Sequence, residues 1–120
     1  MSLESEVSRF LSTFKTNFNV FGILYLDRDK NAQALLDLDI VATERDRIIR
    51  EIEIEDYSEG PKEEKIYNKV EYWVFGKKVK SQEVYIKISL GNFGSKVICI
   101  SFHIAEQAMK YPLKTRPKTP

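Results

Sequence analysis

Between Ser5 and Phe18, apolar side chains fall at Val7, Phe10, Leu11, Phe14 and Phe18. Steps of three and four residues put them on one face of an α-helix, and Ser2 or Ser5 can cap its start. The run "VFGILYL" at 20–26 is apolar throughout and fits either a short strand or an extended arm. "DRDKN" then breaks the pattern as a turn. Two shorter helical segments follow. "NAQALLDL", 31–38, has Asn31 in the capping position. "TERDRIIREI", 43–52, has Thr43 as N-cap and Asp46 three residues on, with Ile48, Ile49 and Ile52 facing inward. "EDYSEGPKEEKIYNK" shows no period, contains Gly60-Pro61 and is heavily charged, so it reads as a loop.

The last third changes period. "EYWVFGKKV" (71–79), "EVYIKISL" (83–90) and "KVICISFHI" (96–104) are joined by "KSQ" and "GNFGS". Connections this short make neighbouring strands antiparallel. Val84, Ile86, Ile88 and Leu90 alternate with polar residues, as do Ile98, Ile100, Phe102 and Ile104 by position. These eight are expected to face the helices. The pattern predicts an α+β fold, with N-terminal α-helices packed on one face of a small antiparallel β-sheet. Residues 1–110 form one expected domain, and 111–120 a basic, Pro-rich, extended tail.

Composition narrows the function little. Nineteen basic and eighteen acidic residues nearly cancel, so any case for nucleic-acid binding has to be local. One cysteine, Cys99, excludes an internal disulfide and a Cys-based zinc site, and a single histidine argues against a His-rich metal site. No apolar run has membrane-spanning length, and the acidic start "MSLESEVSRF" lacks the pattern of a signal peptide. A cytoplasmic protein with no membrane association is the expectation.

Candidate chemistry lies on the other sheet face, which by parity receives Tyr85, Lys87 and Ser89 from one strand and Val97, Cys99, Ser101 and His103 from the next. With the turn centred near Phe93, Tyr85 is expected opposite Ser101, one step from His103. An imidazole can exchange protons near neutral pH, a lysine supplies positive charge, and a phenol supplies a hydroxyl or a stacking plane. Lys77, Lys78 and Lys80 crowd the preceding hairpin beside Tyr72 and Trp73, and cations interleaved with aromatics suit single-stranded RNA. The same residues are equally what a solvated sheet face and charged strand edges present. Gly91 and Gly94 make a hairpin turn rather than a phosphate-cradling loop.

The segments "LLDLDIVATERDRIIREIEIEDYSEGP", "YWVFGKKVKSQEVYIKIS" and "VICISFH", in that order, resemble the MqsR-type toxins. These are messenger-RNA interferases of the RelE-like superfamily, from bacterial type II toxin–antitoxin pairs. The similarity runs from about Ala34 to His103. It implies helices on a small antiparallel sheet, and metal-independent endoribonuclease activity without a cofactor, in which a 2′-hydroxyl attacks the adjacent phosphate. By position, Tyr57 matches the family tyrosine that opens the loop, Tyr85 the tyrosine of the middle strand, and Lys87 a lysine of that strand. His103 stands where the family has a lysine after Ser-Phe. The resemblance thus implies catalytic roles for His103, Tyr85, Tyr57 and Lys87. The implied partners are mRNA, on or off the ribosome, and an antitoxin that in this family often carries a zinc-binding domain. Besides His103, two positions depart from the pattern, Ser58 replacing a lysine and Val74 a glutamine, and the chain has an extra piece after the last strand, "AEQAMKYPLKTRPKTP". A non-catalytic RNA- or protein-binding module of the same fold is the alternative these departures favour.

Overall fold

The computed structural model describes residues 2–26, 29–64, 70–92 and 94–114. Helix α1 spans Leu3–Phe21, opened by Ser2, whose hydroxyl accepts from the Ser5 amide at 3.1 Å. Its buried residues are Val7, Phe10, Leu11, Phe14 and Phe18, the stripe expected from their spacing. Strand β1 (Ile23–Tyr25), helix α2 (Asp29–Leu38), helix α3 (Ala42–Arg50) and a 3₁₀ turn (Ile54–Asp56) follow. Four strands complete the chain: β2 (Tyr57–Glu64), β3 (Val70–Val79), β4 (Gln82–Ser89) and β5 (Val97–Ile104). They form one five-stranded sheet in the order β1-β5-β4-β3-β2.

The sheet is mixed rather than purely antiparallel. Strands β2 to β5 form an antiparallel meander, while β1 lies parallel to β5 along Val97–Cys99. The "VFGILYL" run is therefore divided between the end of α1 and a three-residue strand. The segment expected to be a loop contains β2. Its pairing with β3 slips between Tyr57 and Glu59 and again between Glu59 and Lys62. Each slip resets the side-chain parity, so no alternation survives to mark a strand. Gly60, at φ 122°, lies against β3, where an added Cβ would come within 3.0 Å of the Trp73 Cα.

The ladder between β4 and β5 holds a second correction. Tyr85 pairs with His103, Ile86 with Phe102 and Lys87 with Ser101, but Ile88 pairs with Cys99 and Ser89 with Ile98. One residue, Ile100, is left over as a bulge. Beyond it the faces of β5 exchange: Val97 and Cys99 join the core under the helices, and Ile98 and Ile100, expected there, turn to the other side. Before the bulge, parity holds.

The ends of the two short helices also differ from expectation. Helix α3 starts at Ala42 with Val41 in the N-cap position and no side-chain cap; Thr43 lies inside it. Helix α2 starts at Asp29, so Asn31 is not its cap. Instead Asn31, only 4% exposed, faces the edge of β5 just past the end of β1. Its Nδ2 donates to the carbonyls of Ile100 (3.0 Å) and Leu26 (3.1 Å), and its Oδ1 accepts the Phe102 amide at 3.0 Å. One amide side chain thus does for two backbone groups what a longer β1 would have done. Asn31→Leu strands these two groups of β5 and the Leu26 carbonyl, with an expected loss of about 2–3 kcal/mol in denaturant unfolding. Exchange of the Phe102 amide should quicken in the same variant.

Burial of Cys99 gives stability a pH dependence. Its thiol is fully enclosed and donates to the Ser101 carbonyl at 3.4 Å. Burial pushes it up from 9.0 to about 12. The native state therefore keeps the proton over a range in which the unfolded chain loses it. Stability is full below about pH 9 and falls as pH rises from there, by up to about 1.4 kcal/mol per unit. Urea midpoints measured from pH 8 to 9.5, below the range in which the tyrosines Tyr25, Tyr57 and Tyr111 add the same trend, should fall in the wild type and fall less in Cys99→Ala.

Candidate functional site

On the sheet face away from the helices, a cleft of about 730 Å³ opens. Val74, Tyr85, Ser101 and His103 make its floor, and Ser58 and Glu59 from β2 form one wall. The opposite wall is the chain after β5, residues Glu106–Lys110, which turns back over the sheet.

Tyr85 and His103 are direct cross-strand partners. Their rings stack with centroids 5.2 Å apart and planes 14° apart. His103 Nδ1 lies 3.0 Å from the Ile104 carbonyl oxygen, which can only accept, so Nδ1 carries the hydrogen. In the neutral imidazole the lone pair is then on Nε2. Stacking and this hydrogen bond together fix both the ring plane and the tautomer.

The other predicted residues separate into two groups. Lys87 shares the cleft's face, opposite Ser101, with its ammonium 4.0 Å above the Tyr72 ring. Lys78 pairs with Glu83 and is exposed. Tyr57 and Trp73, by contrast, lie in the core under α1. Trp73 is 5% exposed and stacks on Phe10, with centroids 4.9 Å apart. Tyr57 packs edge-on against Trp73 and Phe75, and its hydroxyl donates to the Gly60 carbonyl at 2.6 Å. Burial, and then the charge of Glu59, raises its phenol above the ordinary value. Tyr57 is inward opposite Phe75, Ser58 points the other way, and the register slip that follows sets Glu59 opposite Val74, so both reach the cleft. Lys77 is engaged by Asp56 at 3.1 Å, and Lys80, at the β3–β4 turn, donates to the Asp39 carbonyl at 2.6 Å.

The wall made by residues 105–110 went unread in the sequence. It is tied down by Glu83, whose two carboxylate oxygens accept from the Met109 amide (3.2 Å) and the Tyr111 hydroxyl (2.6 Å). The Ala105 amide adds a bond to the Glu83 carbonyl at 2.8 Å. This crossing requires Gly76, where a Cβ would lie 2.2 Å from the Tyr111 hydroxyl oxygen. Leu113 packs on the main core, inside the tail expected from residue 111, while 115–120 fall outside the described residues. Two signals were available: apolar residues alternate at Met109, Tyr111 and Leu113, and a glycine interrupts the middle of β3. Among the acids of the wall, Glu106 meets Lys30 at 2.6 Å, and that ammonium holds its carboxyl below the usual range.

A hydroxyl, a phenol and an imidazole with a defined basic nitrogen thus line one accessible groove. That set can take a proton from an alcohol and hold an extended polyanion alongside. No three His, Cys, Asp or Glu side chains among the described residues converge to hold a metal ion. No described helix is long and apolar enough to cross a membrane. No protein-family model, curated protein or solved structure matches the chain.

Proposed function

We propose that this chain is the toxin of a bacterial type II toxin–antitoxin pair, a RelE-like, MqsR-type endoribonuclease that cleaves mRNA in the cytoplasm without a metal. One observation carries the reading. Of the six positions the resemblance marks, four (Ser58, Val74, Tyr85 and His103) come from four different strands and line the same cleft, while Lys87 shares its face and Tyr57 lies in the core.

In the proposed reaction His103 Nε2 accepts the proton of a ribose 2′-hydroxyl. The 2′-oxygen bonds to the adjacent phosphorus as the bond from phosphorus to the 5′-oxygen breaks. The imidazolium returns its proton to that 5′-oxygen, leaving a 2′,3′-cyclic phosphate and a free 5′-hydroxyl. Tyr85, stacked on the imidazole, holds it in plane, and Lys87 contributes positive potential from the same face. Tyr57 takes no direct part in this scheme, because its ring is in the core. An antitoxin that covers the cleft is the partner such an activity requires.

The second reading, a non-catalytic module that binds RNA or protein, draws on Val74 and Ser58. They leave the cleft an apolar floor and a small hydroxyl at the two positions where the family has a glutamine and a lysine. One assay separates the two readings: incubation with a long single-stranded RNA in excess EDTA. Cyclic-phosphate ends that form with the wild type and are lost in His103→Ala support the nuclease. Intact RNA, or equal cutting by the variant, leaves the module.

A further inference from the structure

We propose that Lys110 is the phosphate-binding cation of the cleft, presented by residues 105–113 acting as a strap. The identity of the bound anion as an RNA phosphate rests on the nuclease reading. Lys110 is the only lysine or arginine among the described residues that line the cleft. The other nearby cations have their own partners. Lys87 sits over Tyr72, Lys62 meets Glu59 at 3.2 Å, and Lys30 meets Glu106. The last two pairs also neutralise the acids of the cleft walls, which would otherwise repel a polyanion.

The position of Lys110 is built rather than incidental. The residues on either side of it, Met109 and Tyr111, are fastened to the two oxygens of a single carboxylate, that of Glu83. Both pack over Gly76, and Leu113, half-buried, rests the strap's far end against the core. Two adjacent pins locate the backbone of Lys110 while its side chain remains exposed. A phosphate attacked by a 2′-oxygen gains charge, and an imidazole alone does not offset it. A preplaced ammonium on the wall does.

The test uses a single-stranded 2′-O-methyl RNA oligonucleotide, which lacks the attacking hydroxyl and so is bound but not cut. Fluorescence anisotropy between 50 and 200 mM salt reports the number of phosphates neutralised. Removing one contact from a single strand should flatten the slope of log K against log salt by about 0.7. Lys110→Gln is expected to show that loss and Lys110→Arg to retain the wild-type slope. An unchanged slope in Lys110→Gln overturns the assignment, even where His103-dependent cleavage upholds the nuclease. Binding that depends on Lys110 without any cleavage upholds the phosphate site and sinks the nuclease reading. A wild type that neither binds nor cuts sinks both.

Discussion

His103→Ala is expected to lower metal-free RNA cleavage by about 10²–10⁴-fold, the range typical of removing a positioned proton-transfer group. In the proposed scheme this imidazole takes the proton from the nucleophile and gives it to the leaving group, so no second residue takes over either step. Binding of a non-cleavable strand should change far less, because the proposed phosphate contact is made by Lys110 rather than by this side chain. The side chain is half-buried at the end of β5, and its loss should leave the circular dichroism spectrum and the melting curve nearly unchanged. Tyr85 offers a finer comparison. Tyr85→Phe keeps the stack on His103 and loses the hydroxyl, whereas Tyr85→Ala loses both. A large defect in the alanine variant alone assigns stacking as the tyrosine's contribution. Tyr57→Phe is the control from the opposite face and should cleave within about twofold of wild type, since only a bond to the Gly60 carbonyl is lost. A His103→Ala protein that cuts as well as wild type would remove the imidazole from the chemistry.

The second large effect is on stability. Trp73→Ala should cost about 3–5 kcal/mol, the usual range for deleting a large aromatic from a core. Trp73 pairs with Ile88 on the helix-facing side of the sheet, stacks on Phe10 of α1 and meets Tyr57 edge-on. Removing the indole leaves a void at the joint between α1 and the sheet, where the Phe10 and Tyr57 rings both lose contacts. Thermal and urea unfolding measure the loss, and Trp73→Phe should recover much of it. Had Trp73 been a platform for RNA bases, the alanine variant would instead bind RNA poorly with an unaltered melting temperature.

The sequence disclosed most where one period ran unbroken. The α1 stripe at Val7, Phe10, Leu11, Phe14 and Phe18 reads directly as a helix face, and the short connectors around β4 set the order of the last three strands. Tyr85, Lys87 and His103 share a face because the bulge lies beyond them, at Ile100. Parity misplaced Val97, Cys99, Ile98 and Ile100 because an extra residue in one strand leaves no mark in composition; only the partner strand reveals it. Strand β2 escaped notice for the same reason, its two register shifts having erased the alternation. The role of Asn31 was hidden by a rule that is usually sound. Asparagine before a helical run is most often a cap, and here the nearby unsatisfied groups belonged to β5 rather than to the helix. Lysine and proline drew attention to a tail, while the alternation of Met109, Tyr111 and Leu113 recorded the contacts that seat it.

The way the strap lies over β3 and β4 has a consequence for the order of assembly. Synthesis runs from the amino end, so Gly76 and Glu83 emerge well before Met109 and Tyr111. In chain order the floor of the groove comes first, and its second wall is supplied by the residues that follow β5. Truncation after β5 would keep Tyr85 and His103 and remove Lys110 together with the second wall.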